Sequence, residues 1–292
     1  MAWDYQLDID RYYPSVRTYL TEQLNLPKHL VYLLRSNQRV LVNHQYRPMN
    51  FPIKPGETVN ISFNQTDFST SAFPMLPDWT RSLEVLWESD DLMVVNKPRG
   101  LKTHPNQPGE LGTVFNLAAA YLAPKRPLMV HRLDQQTSGA LIIAKVPPVV
   151  AILTKLLKTK TLQRTYLAWV RGMLTNPQGT INQPIGKDPF DQRKRQVNGQ
   201  NSQPAITHYQ LLKTNENASL LKITLETGRT HQIRVHFASL GHPIVNDPLY
   251  DSLATSSQPM LLHSWRIAFK TPYYNQAVVV ISPLPPEFKR FS

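Results

Sequence analysis

The chain has 292 residues, 41% of them hydrophobic and none of them cysteine, with 32 Lys and Arg against 20 Asp and Glu for a net charge of +12. This length suits one large domain or a large one with a small companion; the missing cysteines exclude disulfides, thiolate metal sites and cysteine nucleophiles. No apolar run nears the ~20 residues of a membrane span, and the basic excess favours a polyanionic partner over a membrane.

The opening MAWDYQLDID carries acids where a secretory signal needs a basic and then an apolar stretch, so no signal is expected and the cytoplasm is the expected compartment. VRTYLTEQLNLPKHLVYLLRSNQRVLVN then spaces Val16, Tyr19, Leu20 and Leu24, and after them Val31, Leu33 and Leu34, as helices, and ends in the strand-like RVLVN. YRPMNFPIKPGETVNISF adds a Pro-Gly turn at 55–56 and the alternation Val59, Ile61, Phe63. Residues 13–66 therefore read as two helices on a small sheet. The Ser-, Thr- and Pro-rich stretch 67–82 has no apolar period and reads as a linker. From 83 to 292 strands dominate. EVLWESDDLMVVNKP reads as two strands meeting at Ser89-Asp90-Asp91, and PPVVAILTKLLKTK as a helix entered through Pro147 and Pro148. TYLAWV, THYQLL, SLLKITLE, HQIRVHF and AVVVIS read as further strands.

The charge is unevenly spread. Residues 1–80 hold seven bases and seven acids, whereas 97–234 hold 20 bases and six acids, a local excess of +14. Most of the 11 glycines fall in that same stretch, and a permissive backbone among bases suits the approach of a phosphate backbone. No two glycines lie two or five apart, which removes both G-x-G-x-x-G and the P-loop.

Three runs could carry chemistry. In HRLDQQTSGALIIAK, residues 131–145, Asp134 follows His131 and Arg132 and precedes a Thr-Ser-Gly turn into an apolar strand. An acid among cations can serve as nucleophile or base, and can equally be a turn acid paired with Arg132. In TGRTHQIRVH, residues 227–236, a strand would set Thr230, Gln232 and Arg234 on one face and His231, Ile233 and Val235 on the other. His231 and His236 are five apart, too poorly matched for a shared metal, so structural hydrogen bonding is expected of both. In RTYLAWVRG, residues 164–172, Tyr166, Ala168 and Val170 share one face, and Tyr166 could be core or a stacking platform for a base. Between Lys97 and Ser219 the acids are Glu110, Asp134, Asp188, Asp191 and Glu216, too scattered for two-metal chemistry.

These runs together resemble the RluA/RluD family of RNA pseudouridine synthases. HRLDQQTSG is similar to the family's catalytic signature, VVNKPRGLKTHP to its first motif, TYLAWVRG to its Tyr motif, TGRTHQIRVH with LGHPIVNDPLY to its third, and MLLHSWRIAF to the strand after it, in the family's order over residues 83–282. Residues 13–66 resemble, more weakly, the S4-like RNA-binding domain that precedes the catalytic domain in many members. The first 80 residues, which contain this block, are neutral overall, and the block has Leu26-Pro27-Lys28-His29 where a Ser-Arg pair is common.

The resemblance implies an α+β fold with a mixed, mainly antiparallel central sheet, flanking helices and a small α/β N-terminal domain. It implies isomerisation of uridine to pseudouridine in RNA, with no cofactor and no metal. Asp134 would be the catalytic carboxylate, Tyr166 would stack on the flipped uracil, and Arg234 would pair with Asp134. Arg132 would fill the space the base leaves, and Leu262 would wall its pocket. Lys97, Arg99 and the loop run Arg193, Lys194, Arg195 would track phosphates, although the loop run also reads as a solvated surface cluster. The expected partner is RNA, ribosomal ahead of transfer RNA, with no DNA and a monomeric enzyme. A non-catalytic RNA- or ribosome-binding protein using the same basic surface is the alternative.

Overall fold

The structure, a computed structural model, describes residues 2–68 and 75–290. Of the stretch read as a linker, residues 69–74 lie outside the described residues. The chain opens with strand β1 (Ala2–Asp8), a helix α1 (Val16–Thr18) that continues in π geometry through Tyr19–Gln23, and α2 (Lys28–Ser36). Strands β2 (Val40–Val42), β3 (Gln45–Tyr46) and β4 (Thr58–Asn64) complete a four-stranded sheet of order β1-β4-β2-β3. The helices and the Val59, Ile61, Phe63 alternation are as the spacing predicts. The sheet starts earlier than residue 13: Tyr5 and Leu7 alternate inward on β1, which pairs along its whole length with β4.

The remaining strands are β5 (Val85–Glu88), β6 (Leu92–Lys97), β7 (Leu128–Met129), β8 (Ser138–Ala144), β9 (Gln163–Arg171), β10 (Gln178–Asn182), β11 (Ile185–Lys187), β12 (Arg195–Val197), β13 (Gln200–Gln203), β14 (Ile206–Asn215), β15 (Ala218–Leu225), β16 (Leu262–Lys270) and β17 (Ala277–Ile281). Ten of them form one sheet of order β10-β14-β15-β9-β16-β8-β6-β5, with β17 on β16 and β7 on β8. Strands β11 to β13 form a separate three-stranded flap. Among the described residues of the large sheet only β8 and β16 run parallel, so it is the expected mixed, mainly antiparallel sheet. That parallel step requires Gly139: its φ is +107°, and a Cβ there would stand 2.3 Å from the Ser264 carbonyl oxygen.

Both faces of the sheet centre are covered. On one face Leu141 and Ile143 of β8 and Tyr166, Ala168 and Val170 of β9 pack with Phe115 and Ala118 of α3 (Val114–Leu122) and with Ile233 and Phe237 of α5 (Gln232–Ser239). On the other face Ala140, Ile142 and Ala144 join α4 (Pro147–Lys158), which enters through the expected prolines. The N-terminal unit belongs to this second cluster. Tyr5 stacks on Tyr273 with ring centroids 3.7 Å apart, and Lys155 of α4 donates to the Thr21 carbonyl at 2.8 Å. The N-terminal unit and the large sheet therefore share one continuous core.

One element differs in kind from the sequence expectation. HQIRVHF is not a strand: Gln232–Ser239 is helix α5, entered from His231 in the left-handed region at φ 59°. Gln232 through Phe237 are all buried, so the alternation of polar and apolar residues does not report a wet face and a dry one. The polar members are satisfied internally. Gln232 bonds Thr207 and the Ile206 carbonyl, and His236 bonds Thr207 and the Gln183 carbonyl.

Candidate active site

Asp134 sits in the loop that leads into β8, and that loop is fastened from three sides. The Thr103 hydroxyl donates to the Leu133 carbonyl at 2.7 Å and accepts from its amide at 3.1 Å. The Gly100 amide donates to the Gln135 carbonyl. The Lys97 ammonium, fully buried, donates to the carbonyls of Pro98, Gln135 and Thr137 at 3.1, 3.1 and 2.8 Å. Lys97 is therefore not a phosphate contact. It is sealed beneath the loop, where burial lowers its pKa to about 7 against the pull of Asp134. Its partners are main-chain carbonyls, which leave no mark in a sequence.

Asp134 stands where two recesses meet. The larger, about 440 Å³, is lined by Lys102, Thr103, His104, Asn106, Arg132, Leu133, Arg193, His231 and Arg234 among others. The smaller, about 90 Å³, is lined by Tyr166, Leu262, Leu225 and Ile233 with Arg132, Arg164, Arg229 and Thr137. Arg132, Leu133, Asp134, His231 and Arg234 border both. Tyr166 and Leu262 lie on neighbouring strands, β9 and β16, whose side chains face α5, and this places the recess on the sheet face away from the N-terminal unit.

Arg234 projects from α5 and is buried. Its Nε and one terminal nitrogen make a two-pronged contact with Asp247, both at 2.7 Å, while its Nη1 donates to Asp134 Oδ2 at 3.2 Å. Burial works against the guanidinium charge, but the hydrogen bonds and charge of Asp247, then those of Asp134, raise its pKa on balance. Asp247 is itself fully buried and also accepts from the amides of Leu249 and Tyr250. The two carboxylates are thus bridged by one arginine, anchored at Asp247 and reaching to Asp134.

Around this pair stand two groups that the sequence does not place here. His231 Nε2 lies 4.0 Å from Asp134 Oδ2, and its Nδ1 is 2.9 Å from the Tyr250 hydroxyl. Its pKa is lowered, chiefly by burial, so the ring is neutral near pH 7. The Tyr250 ring lies 5.2 Å from the Arg234 guanidinium carbon, and burial raises its phenol to about 12. His231 is at the site because it precedes a helix; on a strand it would have faced away. His236 has the structural bonds expected of it.

The remaining expected contacts divide. Arg132 is exposed at the junction of the recesses. Arg99 is exposed on the turn before Gly100 and lines neither recess. Arg193 lines the larger recess while paired to Asp191 at 2.8 Å. Lys194 is half-buried, with its amide and carbonyl bonded within the loop. Arg195 spends its guanidinium on the carbonyls of Gln192 and Lys194, and its amide donates to the Tyr250 hydroxyl at 2.8 Å. Asp247 and Tyr250 lie in the NDPLY run, the one sequence signal that could have found them.

Comparison with known proteins adds a family to this geometry. A family profile described as RNA pseudouridylate synthase matches residues 91–239, and one described as RluD ribosomal pseudouridine synthase N-terminal domain matches residues 6–59. The chain is 37% identical over 276 residues to "Uncharacterized RNA pseudouridine synthase YhcT" of Bacillus subtilis, covering 92% of this chain and 89% of that one. It is 37% identical over 250 residues to "Ribosomal large subunit pseudouridine synthase D" of Nitrosomonas europaea, covering 79% and 69%. Among solved structures, "Human RNA Pseudouridylate Synthase Domain Containing 1" superposes with a TM-score of 0.61 at 28% identity, covering 72% of this chain and 87% of that one.

Proposed function

This chain belongs to the RNA pseudouridine synthases of the RluA/RluD family, and from that premise we propose that Asp134, Tyr166 and Arg234 carry the isomerisation and that ribosomal RNA is the substrate. The chemistry is an isomerisation: the bond from uracil N1 to ribose C1′ breaks, the base turns, and a bond from C5 to C1′ replaces it. C5 gives up its proton and N1 gains one, so atoms balance with no co-reactant.

A stacked uridine cannot reach a recessed carboxylate, so the nucleotide leaves its stack at a cost of a few kcal/mol. Arg132, exposed at the junction of the recesses, takes the vacated space. The base enters the smaller recess against Tyr166 and Leu262, which brings the glycosidic bond to Asp134. Asp134 acts as nucleophile or acid–base group, Arg234 holds its carboxylate in place from a buried anchor, and Tyr166 assists removal of the C5 proton. The observation that carries this reading is a single carboxylate at the meeting of two recesses, tied to a buried arginine that a second, fully buried carboxylate fixes.

Ribosomal RNA is favoured by the N-terminal match and by relatives whose names include the ribosomal large subunit. The same proposal takes the cytoplasm as the compartment and a monomer as the acting form. Tritium release from RNA labelled at uridine C5 tests the assignment directly. Wild-type enzyme should release tritium, and Asp134→Asn should release it at least ~10³-fold more slowly while still binding RNA. Near-wild-type release by Asp134→Asn would remove Asp134 from the mechanism. Mapping pseudouridine in ribosomal RNA from cells with and without the chain tests the substrate.

A further inference from the structure

Phe190 is 97% exposed, the most exposed of the large apolar side chains among the described residues, and it stands on the tip of the loop between β11 and β12. Leaving an aromatic ring in water forgoes the stabilisation its burial would give, so an ordered loop that presents one is suited to a partner that covers it. The loop is not slack. Asp188 Oδ1 accepts from the amides of Phe190 and Asp191 at 2.8 and 3.0 Å, Asp191 accepts from the amide and guanidinium of Arg193, and the Lys194 amide returns to the Asp191 carbonyl. Behind it, the Arg195 amide is fixed to Tyr250, which lies against Arg234. The ring is therefore held out from a stiff hairpin anchored beside Asp134, and its neighbour Arg193 lines the larger recess.

The local charge says what would cover it. Residues 187–195 carry Lys187, Arg193, Lys194 and Arg195 against Asp188 and Asp191, and both acids are engaged by the loop's own amides or by Arg193. An aromatic face among bases is the arrangement that binds an unpaired nucleotide, with cations on phosphate and the ring on the base. We propose that Phe190 is a substrate-binding residue whose ring stacks on an unpaired base of the RNA flanking the uridine held at Asp134. The inference rests on the RNA-modifying reading above and extends its contact surface past the two recesses.

The test is binding of an in vitro transcript of large-subunit ribosomal RNA, with tritium release followed in parallel. Phe190→Ala should raise Kd by roughly 5- to 150-fold, the span of a single base–aromatic stack, with an unchanged melting temperature because the ring is unpacked. Phe190→Trp should bind within about twofold of wild type, and Phe190→Leu, apolar but without an aromatic face, should resemble Phe190→Ala. Wild-type affinity in Phe190→Ala or Phe190→Leu overturns the proposal. So does a defect that appears on assembled ribosomal particles and not on naked transcript, which would make the partner a protein. A binding defect without tritium release by the wild type would keep the stack and sink the isomerase reading instead.

Discussion

In the N-terminal unit Arg39 closes a two-pronged pair with Asp67, Arg47 does the same with Glu57, and Arg11 donates to Gln23 and Tyr13. Around the cleft the bases line open recesses: Arg132 stands exposed where two recesses meet, Arg164 and Arg229 line the smaller one, and Arg193, paired to Asp191 of its own loop, lines the larger. Three of the seven bases in residues 1–80 are thus held by carboxylates or polar side chains of the unit itself, and the unit packs on the sheet face opposite Tyr166 and Leu262. Residues 1–80 hold equal numbers of acids and bases, while the excess of +14 falls between Lys97 and Arg234, the stretch that contains Asp134. The difference teaches that a domain similar to the RluD N-terminal domain can serve as a brace, its apolar residues continuous with the core beneath β8.

The comparison breaks most readily at the one ion pair of the cleft that is as enclosed as any in the N-terminal unit. Asp247→Ala should leave Arg234 buried without its anchor, at about 3–5 kcal/mol, and lower the melting temperature by roughly 10 °C. Turnover should fall roughly 100-fold or more, because Asp134 loses a fixed partner. Calorimetry and tritium release measure the two effects. Turnover near wild type would mean that Arg234 is held by other contacts and that the cleft does not depend on Asp247.

Much of the brace and part of the cleft are legible in the sequence, for physical reasons that also explain the omissions. The face alternation of Tyr166, Ala168 and Val170 against Leu167 and Trp169 separates two core clusters as a strand period demands. The hairpin at Ser89-Asp90-Asp91 and the proline-entered α4 carry local turn and cap chemistry. Helix α5 reads as a strand in sequence because every residue from Gln232 to Phe237 is buried and the polar ones are paired inside, so its periodicity carries no solvent signal. Strand β1 hides behind its acids, although Tyr5, Leu7 and Ile9 alternate inward among them. Lys97 reads as a surface residue because lysine usually is one, and nothing in a sequence announces three waiting carbonyls. Asp247 lies inside a run with a family resemblance, yet its role follows only once α5 carries Arg234 to it.

The second way to sharpen the contrast acts on the brace. Ile61 is fully buried in the cluster shared by the N-terminal unit, β8 and α4, so Ile61→Ala should cost about 2–5 kcal/mol. If the core is continuous, the whole chain should melt in one transition at a lower temperature, and RNA affinity well below that temperature should stay within about twofold of wild type. Two calorimetric transitions, of which only one moves, would show the N-terminal unit to be an independent domain and remove the brace.

The smallest effect concerns where phosphate is met. Removing a single cation from a phosphate flattens the dependence of log binding constant on log salt by about one unit. Arg193 lines the larger recess and its side chain stays 76% exposed beside Asp191, so Arg193→Gln should flatten the slope by about one unit; Arg195 is committed to the carbonyls of Gln192 and Lys194, so Arg195→Gln should leave it unchanged. In the N-terminal unit Arg11 is held by Gln23 and Tyr13, and the Arg35 guanidinium lies 5.3 Å from the Tyr32 ring, so Arg11→Gln and Arg35→Gln should also leave the slope unchanged. Equal flattening by Arg11→Gln and Arg193→Gln would put the RNA backbone on both faces of the sheet at once, and the N-terminal unit would then be a second grip whose local pairs open when RNA arrives.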